Sequence, residues 1–231
     1  PGTGYLLHAN DKYWDGTPSI PQVTMVPIPD STAQANALRT GEIDLATSLN
    51  SAALTTLSGA PNVKVAEPTL ESASALELAL NTRVAPFNDP EVRRAAKLAV
   101  DRDKLVNTVL GSTGEVANDM LGKGYDNYPE DVAQTVANKE EAKRIFAEKG
   151  VTSFTIVAAD VMPGMVASAE LMAQEFAEVG VQVTVDKRDP QTYYSNPTEL
   201  HQVQAATAFW INRNPITEFR SQVMPDYPFN L

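Results

Sequence analysis

An α/β fold is what this sequence predicts, and three stretches carry the prediction. Residues 22–46 read as strand, helix and strand: 22–28 alternate, Asp30-Ser31 opens a helix to about Thr40, Gly41 stops it, and EIDLA (42–46) alternates again. Residues 152–186 repeat the order, with a strand at 152–158, a helix opened by Pro163-Gly164 and closed by Gly180, and Val181, Val183 and Val185 alternating into the next strand. Between the two lies NTRVAPFNDPEVRRAAKLAVDRDKLVNTVL (81–110), which carries its own start signals and helical register. A helix that links two neighbouring strands makes parallel pairing the natural expectation for both units.

The remaining elements follow in order. Residues 1–20 hold Gly2, Gly4, Gly16 and Pro18 around Tyr5-Leu6-Leu7 and Tyr13-Trp14, which predicts short strands and turns with Trp14 as a buried anchor. A weak helix is expected at 51–57 and strands at 62–66 and 74–80. In 81–110, Asn88 or Asp89 caps a helix, Pro90 fits its first turn, and Glu91 stands where a capping-box acid reaches back. Val92, Ala95, Ala96, Ala99 and Val100 form its apolar face, and Asp101 restarts the pattern through Leu105, Val106, Val109 and Leu110 up to Gly111. Residues 111–130 read as a long surface loop, and 137–149 as a helix burying Ala142, Ile145 and Phe146. A short helix from Asp189-Pro190 past Tyr193 and Tyr194, a strand at 204–210, a helix from Pro215 and a loop from Met224 complete the chain. The domain crossing is expected at 66–76 (AEPTLESASAL), where Pro68 and small polar residues separate two α/β parts.

Composition excludes several functions. The 231 residues are 43% hydrophobic, enough for one large or two modest domains, and no apolar run reaches the ~20 residues of a membrane-spanning helix. With 29 acidic against 18 basic residues the formal charge is −11, which argues against a nucleic-acid surface. The chain contains no Cys, so thiolate catalysis, disulfides and Cys-bound metals are ruled out within it. His8 and His201 have no acid or nucleophile at triad or metal spacing, and Glu42 with Asp44 reads as surface carboxylates on a strand. Gly2-Thr3-Gly4 has neither a preceding strand nor a third glycine, so it is no dinucleotide loop. The residues support binding rather than catalysis, with no catalytic residues, metal ligands or cofactor expected.

Several stretches together resemble one family. GTGYLL (2–7), NDKYWDG (10–16), IPD…ALRTGEIDLA (28–46), APFNDPEVRRAAKLAVDRDKLV (85–106), EEAKRIFAEKG (140–150) and W-x-N-R-x-P (210–215) occur in the order seen in the extracytoplasmic substrate-binding proteins of ABC importers, in the peptide-binding (oligopeptide, dipeptide and nickel) class. The resemblance implies a type II periplasmic-binding-protein architecture of two lobes, incomplete in this chain, with residues 1–70 in the first lobe and 71–231 in the second. It implies a receptor, monomeric and outside the cytoplasm, that closes on a peptide or similar small polar ligand and delivers it to a membrane permease. Family members are longer, so the chain reads as the central and later part of such a protein. An α/β enzyme acting on a small polar substrate is the alternative.

In open α/β sheets ligands sit beyond the carboxyl ends of the strands. Two loops hold that position here, 160–164 and 210–214. Trp210 offers a flat apolar face, Asn212 both donor and acceptor, and Arg213 a forked donor suited to a carboxylate. By residue type alone Trp210 is core and Arg213 a solvated charge; the resemblance, which puts W-x-N-R-x-P at the cleft, implies a ligand role. Glu77 and Asp160 are further candidates for the same wall. Asn214 stands where many relatives carry Asp, so the loop itself has no carboxylate for a peptide's amino group.

Overall fold

The computed structural model describes residues 4–47, 49–66, 69, 73–224, 227 and 230. Residues 67, 68 and 70–72 of the expected crossing at 66–76, Gly2-Thr3 and much of the tail beyond Met224 lie outside these residues. Contacts divide the chain into two units, residues 1–63 and 64–231.

The first unit is an antiparallel ribbon of β1 (Tyr5–His8) and β2 (Gln22–Met25), followed by helices α1 (Ser31–Thr40) and α2 (Ser51–Leu57). Asp30 caps α1 through Ala33 N at 2.7 Å, and Gly41 closes it with φ 76°, a left-handed geometry that glycine adopts without strain. Asn50 caps α2 in the same way. Two expectations fail in this unit. Residues 42–46 and 62–66 form no strand, so 22–46 is not a parallel strand–helix–strand unit, and β2 pairs antiparallel with β1 instead. After Gly41 the amides of Glu42 and Ile43 turn back onto Ala37 O, and Leu45 is 75% exposed, so the alternation meets neither a ladder partner nor a core. Nor is Trp14 an anchor: it is 84% exposed and touches the Tyr13 ring at 5.5 Å.

The second unit is a four-stranded sheet in the order β3-β6-β4-β5, made of β3 (Ser74–Leu80), β4 (Ser153–Ala158), β5 (Gln182–Lys187) and β6 (Ala205–Ile211). The expected β4-helix-β5 unit is present: β4 and β5 are parallel, and α6 (Met165–Glu178) makes the crossover. β6 runs parallel to β4 and antiparallel to β3. Helix α3 (Pro90–Ala99) buries Val92, Ala95, Ala96 and Ala99, the face its spacing predicted. Its cap is Asp89, whose carboxylate accepts from Glu91 N at 2.8 Å. Glu91 is therefore one position too early for a capping box, and its side chain pairs with Arg94 at 3.1 Å.

Asp101 caps the short helix α4 (Arg102–Leu105), which widens into a π turn over Val106–Leu110 and a 3-10 turn over Gly111–Thr113. Residues 114–138 are a loop, which begins after the 3-10 turn and runs past the expected end at 130 to the start of the next helix. Helix α5 (Lys139–Glu148) buries Ala142, Ile145 and Phe146 as predicted. In the core Phe154 meets both Phe87 and Phe176 edge to face, with centroids 4.9 Å apart in each contact. No helix grows from Asp189-Pro190. Residues 190–195 make tight turns instead, because Tyr193 OH is drawn onto Thr207 O (2.7 Å) and Val157 O (3.2 Å) of the sheet. A single helical turn, α7 (Pro197–Leu200), follows, and α8 (Pro215–Val223) is the last helix.

Candidate functional site

The wall at the carboxyl end of β6 is built from the backbone outward. β6 is followed by only three residues, 212–214, before Pro215 opens α8 with Asn214 as its cap (Oδ1 to Ile216 N, 3.0 Å). This short turn is pinned by Asn212, which is buried. Its amide donates to Ala73 O at 2.8 Å, its Oδ1 accepts from Gly122 N at 2.9 Å, and its Nδ2 donates to Lys123 O at 2.9 Å. Tyr125 OH adds a contact to Asn212 O at 3.4 Å. The long loop reaches this close because residue 122 is glycine: at φ +95° a Cβ would stand 2.5 Å from Pro215 Cγ and 2.8 Å from Arg213 O. Asn212, read from the sequence as a ligand contact, thus spends its donor and acceptor on the 122–125 loop.

Trp210 and Glu77 do come together. In the β3–β6 register Trp210 faces Ala75 and Glu77 faces Ala208, so both project from one side of the sheet, where these strands otherwise carry Ala75, Ala79, Ala206 and Ala208. The Trp210 indole donates a hydrogen bond to the Glu77 carboxylate. Burial nonetheless pushes the Glu77 pKa up to about 7, and the charge of Glu218 adds to the rise.

Arg213 follows on the same turn. Its Nε lies 2.7 Å from Glu218 Oε1, and its guanidinium carbon is 5.8 Å from the centre of the Trp210 ring, within cation–π reach. The arginine side chain is 45% exposed, whereas that of Glu218 is 4% exposed. Beyond that ion contact neither carboxylate oxygen of Glu218 completes a well-aligned hydrogen bond among the described residues. Burial raises its pKa, with Arg213 opposing the rise.

Glu218 is the residue that sequence reasoning missed. The available signal was spacing: Pro215, Glu218 and Ser221, all buried, recur every three residues along α8. Carboxylates therefore do approach the loop, although they come from β3 and α8 rather than from residues 212–214. Asp160 is placed differently, as a cap for α6, accepting from Val166 N at 3.0 Å.

The α/β architecture of this chain has known counterparts. The fold is that of type II periplasmic binding proteins: 93% of the chain superposes on 41% of the ABC transporter-associated periplasmic binding protein DppA from Helicobacter pylori, with a TM-score of 0.82 at 24% identity. The sequence profile described as "Bacterial extracellular solute-binding proteins, family 5 Middle" matches residues 1–222, and the chain belongs to that family. Among curated relatives it is 29% identical to the heme-binding protein A of Haemophilus influenzae, over 82% of this chain and 34% of that protein. It is 28% identical to the periplasmic oligopeptide-binding protein OppA of Salmonella typhimurium, over 96% of this chain and 42% of that protein. The chain thus spans about a third to two fifths of the length of these relatives.

Proposed function

We propose that this chain is part of the solute receptor of an ABC importer, working outside the cytoplasm, which captures a peptide or similar small polar ligand and hands it to a membrane permease. The match of the family profile to residues 1–222 carries this reading, and the relatives it brings are named as binding proteins rather than enzymes. The reading assigns residues 1–70 to a first lobe and 71–231 to a second. Trp210, Arg213 and Glu77 form its ligand wall, while Asn212 and Asp160 hold the loops that shape it.

The discriminating experiment is mass spectrometry of whatever co-purifies with the full-length protein. An intact peptide or other small polar solute released on denaturation is the expected result. Conversion of an added solute to product would favour the alternative, an α/β enzyme, and overturn the receptor reading.

A further inference from the structure

The three charged groups at the end of β6 are not equally accessible, and that difference points to a ligand class. Glu218 lies beneath the surface, and its carboxylate holds Arg213 Nε at 2.7 Å. The Trp210 ring flanks the same guanidinium. Two contacts thereby restrain the guanidinium, and the fork of remaining N–H donors is carried on a side chain 45% exposed. What a ligand meets here is a positioned guanidinium whose counter-charge is out of reach.

Glu77 completes the argument. The groups that face it are the Trp210 indole of β6, the Glu218 carboxylate of α8 and the Tyr194 phenol of the turn after β5. None of these is a cation. Arg213, beside the same Trp210 ring, is engaged by Glu218. If a ligand carboxylate arrived at Arg213 while Glu77 remained ionised, three carboxylates (Glu77, Glu218 and the ligand's) would lie around the Trp210 side chain, and the charge of Glu218 already disfavours the ionised form of Glu77. Neutralising Glu77 with a proton from solvent removes one of the three, and a carboxyl already titrating near neutrality does so readily.

We propose that Arg213, held in place by buried Glu218 and the Trp210 ring, reads a carboxylate on the ligand, and that Glu77 takes up a proton as that carboxylate binds. The inference rests on the receptor reading above and specifies the ligand chemistry of the same wall.

The test uses the full-length receptor and a tripeptide mixture without acidic side chains, prepared with free carboxyl termini, with amidated carboxyl termini, or with acetylated amino termini. Calorimetry is run at pH 7 in buffers of different ionisation enthalpy. The free-acid mixture should bind about tenfold or more tighter than the amide, with net proton uptake. The preference should collapse in Arg213→Ala. It should also collapse in Arg213→Ala/Glu218→Gln, which leaves no buried unpaired charge and so guards against a folding defect. Glu77→Gln should lose the proton uptake. Equal binding of acid and amide overturns the inference, as does an unchanged preference in a folded Arg213 variant or undiminished uptake in Glu77→Gln. Loss of affinity on acetylation alone would make the wall an ammonium site and overturn it too. If the wild type binds no mixture, the peptide-receptor reading falls and the inference falls with it.

Discussion

Replacing Asn212 by Ala should release the 122–125 loop from the end of β6. Two side-chain hydrogen bonds disappear, one to Gly122 N and one to Lys123 O, each 2.9 Å long in the structure. A bond of this kind contributes about 1 kcal/mol net, and the Gly122 amide, left without its acceptor in a buried position, adds a penalty of about 1–2 kcal/mol. The sum is about 3–4 kcal/mol, set against a backbone that keeps its own bond from Asn212 N to Ala73 O. Because the effect is local, hydrogen exchange at the Gly122 amide is the direct assay. At 1.4 kcal/mol per factor of ten, exchange should accelerate about 100- to 700-fold in Asn212→Ala. Asn212→Asp keeps the acceptor for Gly122 but turns an oxygen toward Lys123 O, so it should lie between alanine and wild type. A change of less than threefold in Asn212→Ala would refute the reasoning, since the loop would then be held by something other than this side chain.

Three further outcomes follow from the same geometry. Gly122→Ala forces a Cβ to within 2.5 Å of Pro215 and into a left-handed backbone, and should destabilise the full-length protein by about 2 kcal/mol or more in urea unfolding, with an unchanged midpoint refuting the contact. Glu77, with its pKa raised from 4.5 to about 7, binds more protons folded than unfolded between those values, so its contribution is complete below pH 4.5 and is lost as pH rises toward 7. With solvent reaching the side chain, that loss should be about 1–2 kcal/mol, and Glu77→Gln should flatten it; parallel stability–pH curves for the two proteins would contradict the assignment. The isolated 231-residue chain should bind tripeptides weakly or not at all, because closed sites bury most of a ligand between two walls, and full-length affinity in calorimetry would show that one wall suffices.

Where local pattern and tertiary partner agree, the sequence was read correctly. Helix α3 declared itself through Asp89, Pro90 and an alanine-rich face, and β4-α6-β5 through apolar alternation around a glycine-bounded helix, because each had a sheet or core to receive it. Residues 42–46 alternate as cleanly as β5, yet they form no strand, and the amides of Glu42 and Ile43 close onto Ala37 O instead of a ladder. Alternation specifies which face a strand would bury; it does not supply the neighbour. The tyrosine pair illustrates the reverse case. Residues 189–194 look like the start of a helix, and the demand of two sheet carbonyls for Tyr193 OH overrides that local preference.

The candidate wall shows the same division one level up. Trp210 and Arg213 were visible as residue types suited to a ligand, but their present roles depend on partners far away in sequence: Glu77 for the indole and Glu218 for the guanidinium. Asn212 appeared equivalent to them and is not, because Gly122 brings a backbone donor and a backbone acceptor within 3 Å of its amide. An asparagine with both ends satisfied by its own chain holds a loop in shape. An arginine tied at one nitrogen, with the rest of its fork on an exposed side chain, still has donors to give. That difference in remaining hydrogen-bonding capacity, rather than residue type, is why the proposed ligand role falls on Arg213 and the supporting role on Asn212.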